Sequence, residues 1–302
     1  MTVDSSRIVG AVLVFLSAVA FSAKAVIIKL AFLGPVDPIT LLTLRMIFSF
    51  PFFLILAVIS SKKSRSPGIS GRDWFLILFC GVVGYYLASL FDFLGLQYIS
   101  AGLERLILFI YPTFVVLISV FAFGKRVTKQ IAIALVLTYA GIAFVFWHDF
   151  GTFGENAWIG GGLILLSAIT YAFYLAIGGR LIGRLGSMRF TTLALLVSVG
   201  AVVIHFLLTR PLHLLSDVDQ KTYGYAFLMA IVCTVLPTLL LASGIRRIGS
   251  SAAAIIGSVG PVSTIALAWW FLDEHVDISH AIGTILVLAG VLTVSLQKTH
   301  EP

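Results

Sequence analysis

Five ionisable residues stand out inside strongly apolar stretches: Lys24, Arg45, Asp92, Glu104 and Arg105. A charge at the centre of a bilayer costs about 2.5–3.5 kcal/mol on insertion scales, so each needs a partner, water or a function. Lys24 lies near the end of an apolar stretch over 8–31, Arg45 near the start of one over 38–60, and Asp92 near the end of one over 74–98. At about 1.5 Å per residue these three share one level, roughly 10 Å below the outer surface. Glu104 and Arg105 open the next stretch slightly above it. Such a layer can orient helices as an ion-pair network, snorkel to the interface, or bind a polar solute and a coupling proton. In the last case Asp92 or Glu104 carries the proton, and Lys24 and Arg45 attract a carboxylate on the solute or pair with the acids. Arg105 is the residue placed to snorkel.

Helical spacing puts Tyr85, Ser89 and Asp92 on one face, and Glu104 and Tyr111 on another. A tyrosine face with a carboxylate suits a polar, partly apolar solute. Tyr171 and Tyr174 offer the same chemistry in a later stretch; each tyrosine serves equally well as a packing residue whose hydroxyl finds backbone. The expected substrate or coupling residues are thus Lys24, Arg45, Tyr85, Asp92, Glu104, Tyr111 and Tyr174. Pro51, Pro112, Pro237 and Pro261 each remove a backbone hydrogen bond within a stretch, and Pro112 and Pro261 are the expected gating kinks. His205 is a proton carrier or a wetted interfacial histidine. Trp74, Trp147, Trp158, Trp269 and Trp270 fall near stretch ends, as an interfacial belt. No phosphate loop, His-Glu-x-x-His, Gly-x-Ser-x-Gly or facing aspartate pair occurs, so no enzyme, cofactor, metal or ATP-driven machinery is expected.

The elements that position these residues follow from composition. Apolar residues make up 60% and charged residues 11% of the 302, against about 45–50% and about 25% in soluble domains. Ten stretches of about 19–25 residues, each enough to cross the hydrocarbon core, run over 8–31, 38–60, 74–98, 101–123, 127–147, 157–179, 189–209, 223–243, 251–272 and 277–297. The first is too long for a signal peptide and lacks a clear cleavage site. Cys80 and Cys233 both lie inside spans, where a thiol behaves as a small apolar group. The net charge of +7 would suggest nucleic acid in a soluble protein; here its distribution decides. Most basic residues, among them Arg7, Lys62, Lys63, Arg65, Lys125, Arg126, Arg180, Arg184, Arg246 and Arg247, fall on alternate connections, and Asp37, Asp149, Glu155, Asp217, Asp219, Asp273, Glu274 and Asp277 on the others. This positive-inside pattern predicts both termini in the cytoplasm of a multi-pass cytoplasmic (inner) membrane protein.

The chain also repeats itself. At an offset of 149, Gly95, Pro112, Ala140 and Gly141 fall on Gly244, Pro261, Ala289 and Gly290. Two five-span repeats, 8–147 and 157–297, must enter the membrane from opposite sides, and Lys125 and Arg126 accordingly become Glu274 and His275 at matched positions. The intramembrane charges are not repeated: Asp92, Glu104 and Arg105 align with Leu241, Ala253 and Ala254, Lys24 falls near Tyr174 and Arg45 near Leu195. An inverted duplication converts an outward-open into an inward-open cavity by exchanging the conformations of its halves.

The paired segments "GLQYISAGLERLILFIYPTFVVLISVFAFGKRVTKQIAIALVLTYAGI" and "GIRRIGSSAAAIIGSVGPVSTIALAWWFLDEHVDISHAIGTILVLAGV", with the glycine late in spans 3 and 8, the proline in spans 4 and 9, the charged turn after it and the glycine late in spans 5 and 10, resemble the EamA-type transporters of the drug/metabolite transporter superfamily. Where many members carry a Trp-Gly pair midway along span 1, this chain reads Ala20, Phe21 and Ser22. The resemblance implies an all-α integral membrane protein, ten transmembrane helices in two inverted five-helix repeats around a central cavity lined by spans 1–4 and 6–9, with spans 5 and 10 peripheral. It also implies export of amino acids, other small metabolites or drugs. The expected function is therefore a secondary transporter, an exporter of an amino-acid-like metabolite by alternating access. A lipophilic-drug exporter and a sugar-phosphate or nucleotide-sugar type exchanger are the alternatives, with an intramembrane enzyme or channel behind them. Its partners are a small-molecule solute and the lipid bilayer, with no nucleic acid; substrate, flux direction, coupling proton and oligomeric state stay open.

Overall fold

In hydrocarbon every backbone N–H and C=O must be satisfied within the protein, and for apolar runs of this length the helix is the local solution. The computed structural model describes residues 5–63, 68–123, 129–153 and 156–295. All regular structure among them is helical: α1 Ser5–Ala31, α2 Pro38–Lys63, α3 Gly71–Gly95, α4 Ala101–Leu108, α5 Tyr111–Phe123, α6 Lys129–Phe153, α7 Asn156–Leu185, α8 Ser187–Thr209, α9 Gln220–Ile248, α10 Ser250–Gly257, α11 Gly260–Leu272 and α12 Ile278–Ser295. Among the described residues eight helical runs are long and apolar enough to cross a membrane, two of them, Ala101–Ile118 and Ile255–Leu272, running across the α4–α5 and α10–α11 junctions, while α6 and α12 contribute shorter apolar runs, Val136–Val145 and Ile278–Gly290. Arg65, Lys125, Arg126, Glu155 and Lys298, part of the charge pattern, lie outside the described residues.

Side-chain caps set where several helices begin. Asp37 accepts from the Ile39 and Thr40 amides at the start of α2. Ser70 and Asp73 form a reciprocal capping box on α3, and Ser100 and Asp219 cap α4 and α9.

Two of the expected continuous spans are interrupted. The span over 101–123 breaks at Phe109 and Ile110, between α4 and α5, and the span over 251–272 breaks at Ser258 and Val259, between α10 and α11. Pro112 and Pro261 are each the second residue of the helix after the break, where a missing N–H costs nothing. The proline-linked kinks thus take the form of a helix end followed by a new start. These breaks are 149 residues apart, the offset of the sequence repeat. A second matched irregularity accompanies them: α3 widens into a π turn over Cys80–Leu87 and α9 over Ile231–Val235.

Small residues set the helix crossings. A Cβ added at Gly244 would lie 3.0 Å from the Gly10 carbonyl oxygen, and one at Gly95 would lie 3.0 Å from that of Gly160. Backbone therefore meets backbone where α1 crosses α9 and where α3 crosses α7, the contact small residues provide in membranes. The start of α1 meets the end of α9, at what we call the Arg247 end. The end of α3 meets the start of α7 at the opposite, Glu274 end. A cluster including Ile28, Leu41, Phe93, Leu96, Phe206 and Met229 fills the Glu274 half between α1, α2, α3, α8 and α9. The outside is apolar, with Phe121, Leu208 and Trp147 each about four-fifths exposed, a surface that only lipid solvates favourably.

Candidate functional site

A cavity of 410 Å³ lies between α1, α2, α3, α4, α5, α7, α8, α9 and α10, within the range of small-molecule sites. At its head stand the residues expected from the sequence. Lys24 Nζ lies 2.6 Å from Asp92 Oδ2 and 4.0 Å from Glu104 Oε1. Asp92 is 1% exposed and Glu104 wholly buried; neither Glu104 oxygen accepts a hydrogen bond. One ammonium group thus faces two buried carboxyl groups. Arg45, also buried, donates from Nη2 to Ser89 Oγ at 3.0 Å and lies 4.9 Å over the Phe93 ring, with no partner at Nε.

The structure corrects Arg105. It does not reach for the interface, because Glu274 covers the start of α4: its Oε1 accepts from the Ala101 amide at 2.8 Å and its Oε2 from the Gly102 amide at 3.2 Å. Arg105 instead lines the cavity, its guanidinium 5.8 Å over the ring of Phe109, one turn further on. A Cβ on Gly260 would stand 3.0 Å from Arg105 Nη2, so that glycine leaves the guanidinium its room. Among the described residues no hydrogen bond or ion pair holds the guanidinium, and its Nε is buried without a partner. The sequence signal was present in the i, i+4 pairing of Arg105 with Phe109.

Tyr85 and Tyr111 line the cavity as expected, with Tyr171 between them: the Tyr111 and Tyr171 rings are 5.2 Å apart and edge-on. Tyr174 does not line it. Its ring is stacked between those of Tyr171 and Phe190, and its hydroxyl meets Thr191 Oγ1 at 3.2 Å, a packing role. Glu104 likewise stands behind the wall rather than in it, and Pro112 lines the cavity while Pro261 is buried elsewhere. Cys233, Thr234 and Thr238 join the wall from the π-turn region of α9; sequence reading missed them because π widening re-aims side chains without a marker in residue type. Cys80 and Cys233 are both free thiols. His205 sits edge-on to Tyr86, 5.8 Å away, and does not line the cavity. Among the described residues no cluster of three or more His, Cys, Asp or Glu is placed to hold a metal.

The cavity's two ends differ. Val14, Ile245 and Ala253 carry its wall to within about a turn or two of the Arg247 end. No α1 residue beyond Lys24 lines it toward the other end. There Lys29 Nζ donates to the Leu96 and Ile99 carbonyls at 3.2 and 3.0 Å, so Lys29 and Glu274 together fasten both sides of the connection between α3 and α4. Arg210 Nε donates to Asp37 Oδ1 at 3.2 Å. Asp277 meets His148 Nε2 and His280 Nδ1, each at 3.2 Å. Its carboxyl is held down at about 2, first by the Ser279 hydroxyl and then, against some desolvation, by His280, the Ser279 amide and His148. At the Arg247 end the polar tie is Arg184 to Asp73, at 2.9 and 3.1 Å.

Across the repeat the wall changes character. Leu195, Leu241 and Ala253, the counterparts of Arg45, Asp92 and Glu104, line the cavity too. The charged head lies toward the Glu274 end, and the apolar counterparts on α9 and α10 lie toward the Arg247 end.

A crystal structure shares the helical fold over 94% of the chain and 95% of its own, with a TM-score of 0.64 at 17% identity. The transporter YcbK of Bacillus subtilis, uncharacterized, is 28% identical over 91% of this chain and 88% of its own length. YicL of Salmonella typhimurium, an uncharacterized inner membrane transporter, is 24% identical over 84% of each. The model of the EamA-like transporter family matches residues 8–147 and again 158–296. A polar-headed cavity inside a lipid-facing helical shell, built on a sequence matched twice by that model, makes this chain a multi-pass membrane protein of the EamA-like transporter family.

Proposed function

We propose that the protein is a secondary transporter that exports a small, amino-acid-like metabolite across the cytoplasmic membrane by alternating access, its halves 8–147 and 157–297 being inverted copies. One observation carries this reading: a cavity with a charged head, fastened at the Glu274 end and extending toward the Arg247 end. Inversion is supported by direction, since α1 starts at the Arg247 end while α7, its partner by offset, starts at the Glu274 end. The matched breaks before Pro112 and Pro261 and the matched π turns in α3 and α9 support it further. With both termini cytoplasmic, as the basic residues predict, the cavity opens inward and is loaded from the cytoplasm.

Lys24, Arg45, Asp92, Tyr85 and Tyr111 contact the solute or the coupling proton, and Glu104 acts through Lys24. A proton reaching the Asp92–Glu104 pair competes with the Lys24 ammonium for the same oxygens, so protonation frees Lys24. The breaks before Pro112 and Pro261 are the bending points. The apolar wall of Leu195, Leu241 and Ala253 favours a lipophilic-drug exporter as second reading, but it gives the three cations no task.

The test is counterflow in proteoliposomes loaded with unlabelled amino acids. A carrier gives transient uptake of labelled solute that saturates, and Asp92→Asn abolishes proton-driven accumulation while retaining exchange. Uptake that never saturates and shows no counterflow refutes the carrier.

A further inference from the structure

Charges around the cavity do not balance. Lys24, Arg45 and Arg105 face Asp92 and Glu104, three cations against two carboxylates, so the head carries at least one uncompensated positive charge even when both acids are ionised. Buried charge of one sign is costly unless paired. The pairing is also uneven in space. Both acids cluster on Lys24, while among the described residues the contacts of Arg45 are a serine hydroxyl, a thioether and a ring face, with the Asp92 charge acting on it only from beyond ion-pair distance, and the contact of Arg105 is the ring face of Phe109, with the Glu104 charge likewise at longer range. Each guanidinium has a buried Nε–H without an acceptor. Such groups offer planar donor forks suited to a carboxylate.

Beside Arg105 lies an aromatic wall. Phe109 and Tyr111 follow it on the same chain segment with rings 5.9 Å apart, and Tyr171 and Tyr85 continue the surface. Toward the Arg247 end the lining is Leu241, Ile245 and Ala253. An ammonium group on the solute finds no such provision: Asp92, among the described residues the one carboxylate lining the cavity, already holds Lys24 at 2.6 Å.

We infer that the cavity reads its solute by a single carboxylate seated on Arg105, with an aromatic or branched apolar body against Phe109, Tyr111 and Tyr171, and that an amino group on that solute is dispensable. This rests on the proposed function only in taking the cavity as the solute's site. It sharpens that reading: of the two charges of an amino acid, the carboxylate is the one recognised. One negative charge cancels the excess left when both acids are ionised; a phosphate dianion overshoots it.

The experiment measures thermal stabilisation of the purified full-length protein by four probes sharing one body: 3-phenylpropanoate, phenylalanine, phenethylamine and phenyl phosphate. Bound ligand at free concentration L raises stability by RT ln(1 + L/Kd), so at one concentration the tighter probe stabilises more. The inference expects 3-phenylpropanoate to bind at least as tightly as phenylalanine, and phenethylamine and phenyl phosphate far more weakly. Arg105→Gln should weaken 3-phenylpropanoate by about 10- to 100-fold, the range for a lost hydrogen bond to a charged group. Arg105→Lys serves if the glutamine variant fails to fold; it should keep the order of the probes and bind all carboxylates less tightly, having lost the planar fork. Stabilisation by phenethylamine, tighter binding of phenyl phosphate, carboxylate binding indifferent to Arg105, or no response to 3-phenylpropanoate overturns the inference. Counterflow of any other solute would in that event leave the carrier standing, whereas loss of counterflow with carboxylate binding intact would remove the carrier and spare the site.

Discussion

Glu274→Gln tests whether the Glu274 end is a gate. The carboxylate spans 173 residues of sequence to accept from the Ala101 and Gly102 amides at the start of α4. There it satisfies two otherwise unpaired donors and places a negative charge on the positive end of a helix. Glutamine keeps one acceptor oxygen and loses both the second acceptor and the charge. The charge alone is worth about 0.3–1 kcal/mol at an exposed helix start and up to about 2 in a partly buried one. A loss of about 1–2 kcal/mol follows, and on the gate reading, in which the contact exists only with this end closed, it appears as a shift of about 5- to 30-fold between conformations. Cys233 reports that shift, since it lines the cavity while Cys80 is fully buried away from it. In a Cys80→Ser background, a membrane-impermeant thiol reagent applied from the Glu274 side should modify Cys233 about 5- to 30-fold faster in Glu274→Gln than in the parent. From the Arg247 side the rate should fall or hold. No change from the Glu274 side in a folded variant refutes the gate, and an equal rise from both sides shows a loosened fold instead.

Lys24→Met should destabilise the protein by about 3–5 kcal/mol, less whatever proton uptake by Asp92 recovers, because it strands buried carboxylates. Adding Asp92→Leu should regain much of that loss; denaturant unfolding in mixed micelles showing strictly additive costs would mean the pair does not interact. Asp277 is held below its ordinary 3.8 at about 2, so its contribution is complete above about pH 4 and disappears as pH falls through about 2. Asp277→Asn should flatten that acid limb of the stability profile, and an unchanged limb would locate the titration elsewhere. Gly244→Ala drives a Cβ to 2.4 Å from Val14 Cγ2 and should cost about 1–3 kcal/mol by overpacking. Gly162→Ala, where nothing lies within 4 Å, should be neutral or stabilising by about 0.5–1 kcal/mol; equal effects at the two sites would deny the α1–α9 contact.

Sequence made legible what repeats or lies at one depth. The helical face of Tyr85, Ser89 and Asp92 and the level shared by Lys24, Arg45 and Asp92 required only the rise and period of a helix, and the structure joins them at one cavity. The breaks before Pro112 and Pro261 were legible as irregularities but not in kind, since a proline states that a hydrogen bond is missing and leaves open whether the helix bends or restarts. Arg105 and Tyr174 were misplaced for a shared reason. Their surroundings are supplied by distant segments: Glu274 denies Arg105 the interface, Gly260 gives it space, and Phe190 and Thr191 draw Tyr174 out of the wall. Lys29 escaped notice and Glu274 was legible only as an orienting charge, because a charge at a span end has a sufficient local explanation and their actual partners are backbone groups without a side-chain signature.

The asymmetry of the two halves then acquires a physical sense. An inverted pair with charges in both copies would place a polar ring at each end of the cavity, and a solute would bind wherever it entered. Here Asp92 and Arg45 face their apolar counterparts Leu241 and Leu195 across the repeat, so only one end offers electrostatic binding. On the proposed reading, a solute entering from the Arg247 end passes the apolar counterparts first and pairs its charge at the far end, beneath Lys29 and Glu274. Its arrival neutralises the head that those two residues enclose. Since a ligand shifts a conformational equilibrium only by binding its states unequally, and Arg45 and Arg105 sit nearer the proposed gate than the mouth, the charge pairing proposed for the solute is also the interaction best placed to differ between an open and a closed gate.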